Sequence, residues 1–148
     1  MINAFVFNKL FYCSTVWGNT SETNIKKLQL VQNFAGKIVL GLRKFDHISE
    51  GLKTLQWLSL KDKLTLNIAA MVHKCLHHRV PDYLDDKFQY RSQVHQRTLR
   101  SINNLNLPLC RISTGQRSFA FRGAKTWNSL PVELRTIEST KIFKKNFF

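Results

Sequence analysis

Two short runs in this chain carry the residue types that catalysis and metal binding most often use. His73-Lys74-Cys75-Leu76-His77-His78 sets two histidines four apart, which on a helix would put both imidazoles on one face, as a metal site requires. Tyr83-Leu84-Asp85-Asp86 has the form of a Tyr-x-Asp-Asp signature, in which paired carboxylates hold two divalent ions for phosphoryl transfer. Neither setting suits its chemistry. No third and fourth ligand accompany the histidines and no Glu stands between them, so the run reads as a solvated helix end with Cys75 turned into the core. The acidic pair follows Val80-Pro81-Asp82, which predicts the first turn of a short helix, where carboxylates are favoured by the dipole. A third carboxylate is also needed, and Asp46 and Asp62 lie in unsuitable settings. No G-x-S-x-G and no Cys/His pairing in a recognisable context supplies a nucleophile. The chain reads as non-catalytic, with no metal and no cofactor.

The remaining chemistry is electrostatic. Residues 87 to 132 contain no Asp or Glu, and the stretch closes in Arg117-Ser118-Phe119-Ala120-Phe121-Arg122-Gly123-Ala124-Lys125-Thr126-Trp127-Asn128-Ser129-Leu130-Pro131. Residues 87 to 148 hold 12 of the 23 Lys and Arg but only 2 of the 9 acids, so the net charge of +14 is concentrated there. Arg97, Arg100, Arg111, Arg117, Arg122 and Lys125 are the candidate phosphate contacts. They point to RNA or an RNA/DNA hybrid, bound without regard to sequence and weakened by salt. Guanidinium planes and exposed aromatics would add stacking on unpaired bases, whereas Phe119 and Trp127, two helical turns apart, read as core.

The elements that must position these residues are mostly helices. An apolar stretch from about residue 3 to 17 is closed by Gly18-Asn19. Ser21 is a cap for a helix with apolar positions at Ile25, Leu28, Val31, Ala35, Ile38, Val39 and Leu42, ended by Gly41. A turn through residues 43 to 47 leads to a one- or two-turn helix around Ile48 to Trp57. Ser59 and Asp62 then open a long helix with the stripe Leu64, Ile68, Met71, Val72, Cys75 and Leu76, stopped near Pro81. Beyond Lys87 the period changes: Leu105 to Ile112 alternates, predicting an extended or edge segment because Pro108 cannot donate to a ladder. Ser113-Thr114-Gly115 reads as a turn, with one helix from Gln116 to before Pro131 and a last one from Ser139. The last helix runs to Phe148 without a cap, as expected of a piece of something longer. The fold class is mainly α: a small helical bundle with a short extended or β-like basic segment around residues 97–113.

At 148 residues and 43% hydrophobic, the chain is long enough for a sizeable core. Its eleven Phe, three Trp and three Tyr set it apart from a disordered basic arm. Cys13, Cys75 and Cys110 are far apart and form no CxxC, so neither a disulfide framework nor a zinc ribbon is expected, and an intracellular location, nuclear or cytoplasmic, fits best. No apolar run reaches the roughly 18 residues that span a bilayer, and no membrane partner is expected.

Five blocks carry a family resemblance: Tyr12-Cys13-Ser14-Thr15-Val16-Trp17-Gly18, Leu28-Gln29-Leu30-Val31-Gln32-Asn33-Phe34-Ala35, Leu55-Gln56-Trp57-Leu58-Ser59-Leu60, Pro81-Asp82-Tyr83-Leu84, and the region from Gly115-Gln116-Arg117-Ser118-Phe119 through Leu130-Pro131 to Leu134-Arg135 and Phe143-Lys144. In this order they resemble the region after the polymerase core of jockey-like non-LTR (LINE) retrotransposon reverse transcriptases. The resemblance implies a C-terminal fragment of an RNA-directed DNA polymerase, with residues 1–86 a helical thumb-like or connecting region and 87–148 a basic C-terminal region with two helices. The parent family's palm aspartates are absent from this chain, so the implied role is passive assistance in nucleic-acid binding. The alternatives are a module that docks the upstream polymerase core, or a decayed gene product without present function.

Overall fold

A computed structural model describes residues 3–94 and 103–147. The chain forms two compact units, Met1–Thr65 and Leu66–Phe148. The step in charge after residue 86 falls inside the second.

In the first unit a π-helical turn, Asn3–Phe7, runs into α1 (Asn8–Phe11). Cys13, at a positive φ of 46°, breaks the apolar stretch before α2 (Ser14–Trp17). The helix α3 (Glu22–Leu40) begins and ends where its caps predict: the Ser21 hydroxyl accepts from the Asn24 N–H, and Gly41 takes the left-handed conformation at φ 64°. After α4 (Ser49–Thr54), the Ser59 hydroxyl receives the Asp62 N–H and donates to the Asp62 carboxylate, opening α5 (Leu60–Leu76).

The face that α3 buries differs from the expected stripe. Gln32, Ala35 and Gly36 are buried, whereas Val31, Ile38 and Val39 are exposed. The reason lies in the backbone leading into α5, whose peptide groups have no helix or sheet partner there. The Gln32 amide donates to the Leu58 carbonyl at 2.7 Å, and the Gln29 amide oxygen accepts from the Leu60 N–H at 2.7 Å. Two glutamines three apart on one helix face thus stitch α3 to the start of α5.

Within the second unit α5 ends at Leu76, short of Pro81. His78 turns left-handed at φ 50°, and its N–H and that of Arg79 reach back to Cys75 and Lys74. There follow α6 (Asp82–Asp85), α7 (Arg91–Val94), α8 (Ser113–Gln116), α9 (Phe119–Asn128), α10 (Val132–Arg135) and α11 (Thr140–Asn146). Where a turn was expected at 113–115 the chain makes α8, and α9 starts three residues beyond Gln116, capped by the Ser118 hydroxyl. The expected extended segment is present only in outline: its part from 97 to 102 lies outside the described residues, and Leu105 forms an isolated antiparallel bridge with Tyr90 before an irregular run to α8.

That bridge shows how the core is closed. Asn106 N–H bonds to the Gln89 carbonyl and Arg91 N–H to the Asn104 carbonyl, so Leu105's own N–H and C=O point away from the Tyr90 strand. The Asn128 carboxamide takes both, accepting from Leu105 N–H at 2.8 Å and donating to Leu105 C=O at 2.9 Å. Leu105 is thereby fixed in a core with Ala69, Val72, Cys75, Phe88, Ala124, Trp127 and Phe143. The Trp127 and Phe143 rings stack at 5.9 Å. Gly123 lets α9 approach closely, because a Cβ there would lie 2.8 Å from both Val72 Cγ2 and Phe88 Cζ.

Two substitutions test this packing in urea denaturation. Asn128→Ala strands two buried peptide groups and is expected to cost about 2–4 kcal/mol. Gly123→Ala gains about 1 kcal/mol of helix propensity but forces a methyl against a ring and a branched side chain, an overpacking cost of about 1–3 kcal/mol; a net loss of about 1 kcal/mol is expected.

Candidate nucleic-acid interface

The basic residues are set out along a short stretch around α8 and α9. Arg111 ends the irregular run and is exposed; Arg117 caps the C-terminal end of α8 and is exposed. Arg122 and Lys125 lie three apart on α9, and so are neighbours on its surface. Lys125 is exposed, while Arg122 is half-buried and burial pushes its pKa below the ordinary value. The positive end of the α9 dipole adjoins Arg117 and Arg122. Arg97 and Arg100 lie outside the described residues.

The opposite face of α9 explains why cations and aromatics alternate in this block. Gly123, Ala124 and Trp127 are buried, and Phe119 packs edge-on against Phe88 at 5.3 Å. Trp127 and Phe119 are therefore structural and offer no platform to a base. Exposed apolar side chains in the same region are Leu109 and Ile112, on either side of Arg111 by one or two residues.

Sequence reading did not single out Arg135. On α10, it donates through Nη1 to the Asn104 Oδ1 at 2.9 Å and lines a cleft of about 510 Å³ with Tyr90, Ser92, Asn103, Asn104, Trp127, Val132 and Thr136. Among the described residues no carboxylate lines this cleft. Its members are scattered over residues 90 to 136, a grouping that only the fold creates. Arg111, Arg117, Arg122 and Lys125 do not line it.

The two runs with catalytic residue types have other duties. His73, expected at a solvated helix end, is fully buried in the core. Its Nε2 lies 2.6 Å from the Ile137 carbonyl, which only accepts, so Nε2 carries the proton. Nδ1 then accepts from the Thr140 hydroxyl at 3.3 Å, and Arg79 donates to that same hydroxyl oxygen at 3.2 Å. The ring packs 4.7 Å from Phe143 and 4.3 Å from His77. With both nitrogens engaged, His73 fastens α5 to the segment between α10 and α11. Cys75 is buried as expected, its thiol pushed up to about 11 by burial and the nearby Asp85. Asp85 lies in α6 and its Oδ2 meets His78 Nδ1 at 2.5 Å. Among the described residues no three His, Cys, Asp or Glu side chains converge as a metal site, and no helix is long and apolar enough to cross a membrane.

No protein-family model, curated protein or solved structure matches this chain.

Burial lowers the His73 pKa from 6.5, outweighing the bond to Ile137, and the neighbouring His77 and Arg79 lower it further. The unfolded chain therefore takes up a proton that the folded chain refuses, and stability falls as pH drops below about 6.5, by at most about 1.4 kcal/mol per pH unit. Urea midpoints measured between pH 7.5 and 5.5 should show this decline. His73→Phe is expected to be less stable at pH 7.5, for want of the bond to Ile137, and to lose less over the same interval.

Proposed function

We propose that this chain is a non-catalytic C-terminal fragment of a jockey-like non-LTR retrotransposon RNA-directed DNA polymerase, and that its basic C-terminal region assists binding of RNA or an RNA/DNA hybrid. The observation that carries the binding role is the sorting of side chains on α9 and its approach. Arg111, Arg117 and Lys125 are exposed and lie in a stretch of sequence, 87 to 132, that contains no acidic residue. Of the aromatics in the same block, Trp127 is buried and Phe119 packs against the core.

Such a surface favours phosphates over bases. Its affinity would come from counterion release and carry little sequence preference. The cleft beside Arg135, with the Tyr90 ring and several amide and hydroxyl groups, supports the same partner class, since among the described residues polar groups and a cation line it without a carboxylate, a set that suits a nucleotide. Nothing in this role requires the chain to perform chemistry.

Filter binding of a single-stranded RNA and of an RNA/DNA hybrid at 50 and 200 mM salt tests the reading. Binding is expected at the lower salt, weakening steeply at the higher. Arg117→Ser and Lys125→Ser should each reduce the slope of log K against log salt by about 0.7–0.9. No binding at 50 mM salt, or binding indifferent to salt, would overturn it.

A further inference from the structure

We propose that the first unit carries a docking groove for an acidic amphipathic helix of a partner protein, formed by α3 and the loop after it. On α3, Leu30, Phe34 and Ile38 recur every four residues and are 66%, 64% and 61% exposed, with Val31 beside them; Phe45 in the following loop is 89% exposed. Spaced in this way, the three form one stripe about 12 Å long, with the opposite face of α3 occupied by the contacts of Gln29 and Gln32. Leu30, Phe34 and Phe45 also form walls of a cleft of about 540 Å³ completed by Asn33, Lys37, Lys44, Asp46, His47, Ile48 and Ser49.

Charge around the stripe selects the occupant. Lys27 neighbours Leu30 and Val31 on the helix, and Lys37 neighbours Phe34. The Lys37 ammonium donates to the Lys44 carbonyl at 2.6 Å, and the Lys44 ammonium lies over the Phe45 ring at 5.7 Å. Both cations are thus held at the cleft. Asp46, the carboxylate in the cleft wall, accepts the Arg43 N–H at 2.8 Å, and on α3 the acid is Glu22, at the far end and paired with Lys61 at 3.7 Å. An apolar stripe rimmed by lysines complements a helix with apolar residues at i, i+4 and i+7 and carboxylates along their flanks. A second copy of this chain is disfavoured, because a two-fold contact would set these lysines against their own counterparts. A bilayer surface is disfavoured because Phe34 and Leu30 wall a concavity instead of projecting from a convex face.

The test uses the full chain and a fluorescein-labelled synthetic helix of about 18 residues with Leu at i, i+4 and i+7 and Glu on the flanks, read by anisotropy. Saturable binding is expected, roughly tenfold tighter than to the same peptide with Gln in place of Glu. The double substitution Phe34→Ser with Ile38→Ser should weaken it at least about tenfold. Both positions are exposed, so an unchanged urea midpoint separates lost docking from lost folding; Lys37→Gln, which leaves the stripe intact, gives a second measure and should weaken binding several-fold. Equal affinity of the double variant, or of the Gln peptide, overturns the proposal. So does a dimer in sedimentation, or binding to phosphatidylserine vesicles, that the same double substitution abolishes.

Discussion

The carboxamide of Asn128 takes the place of a neighbouring β-strand. Leu105 must be buried to complete the core of the second unit, yet its peptide groups turn away from the bridge with Tyr90. A side-chain amide presents a donor and an acceptor in the spacing of a peptide, and Asn128 offers both to one residue. The same constraint recurs at two other non-helical segments. Gln29 and Gln32 serve the approach to α5, and His73 serves Ile137. In each case a helix lends a polar side chain to backbone that has no ladder to join.

This constraint also marks the limit of what the sequence discloses. Helix ends with a chemical signature are legible: Ser21 and Gly41 bound α3, Ser59 with Asp62 opens α5, and Pro81 precedes α6. A mainly helical chain is likewise written in its apolar spacing. Gln32 and His73 are hidden, because a reading that sorts residues into apolar core and polar surface assigns them to solvent. That is why Val31 and Ile38 were expected inside α3. The four-residue helices α7, α8 and α10 are too short to show a period, and each depends on what it packs against. Of the candidate interface, the cations are readable one at a time; Arg135 joins Tyr90 only through the folding of 44 intervening residues.

The block from Arg117 to Pro131 looks uniform when written out and is divided when folded. One face of α9 belongs to the core through Gly123, Ala124 and Trp127, while Arg122 and Lys125 occupy the other. On the proposed reading, a surface that turns Trp127 inward and Lys125 outward would hold a chain of phosphates and be indifferent to its letters. On the first unit the sorting is reversed, with Leu30, Phe34 and Ile38 outward among lysines. The two surfaces suit different kinds of partner.

Gly123 gives the block an uneven tolerance to mutation. No side chain fits at that position without moving Val72 or Phe88, and Asn128 has no substitute that supplies both halves of its clamp at the same length. The cations meet no comparable demand: an exposed Lys125 exchanged for Gln would fold as before. A lineage freed from selection for binding would therefore shed its charges first and keep its glycine, tryptophan and asparagine for as long as it still folded. Copies of such a chain would go on spelling the architecture after they had stopped spelling the activity.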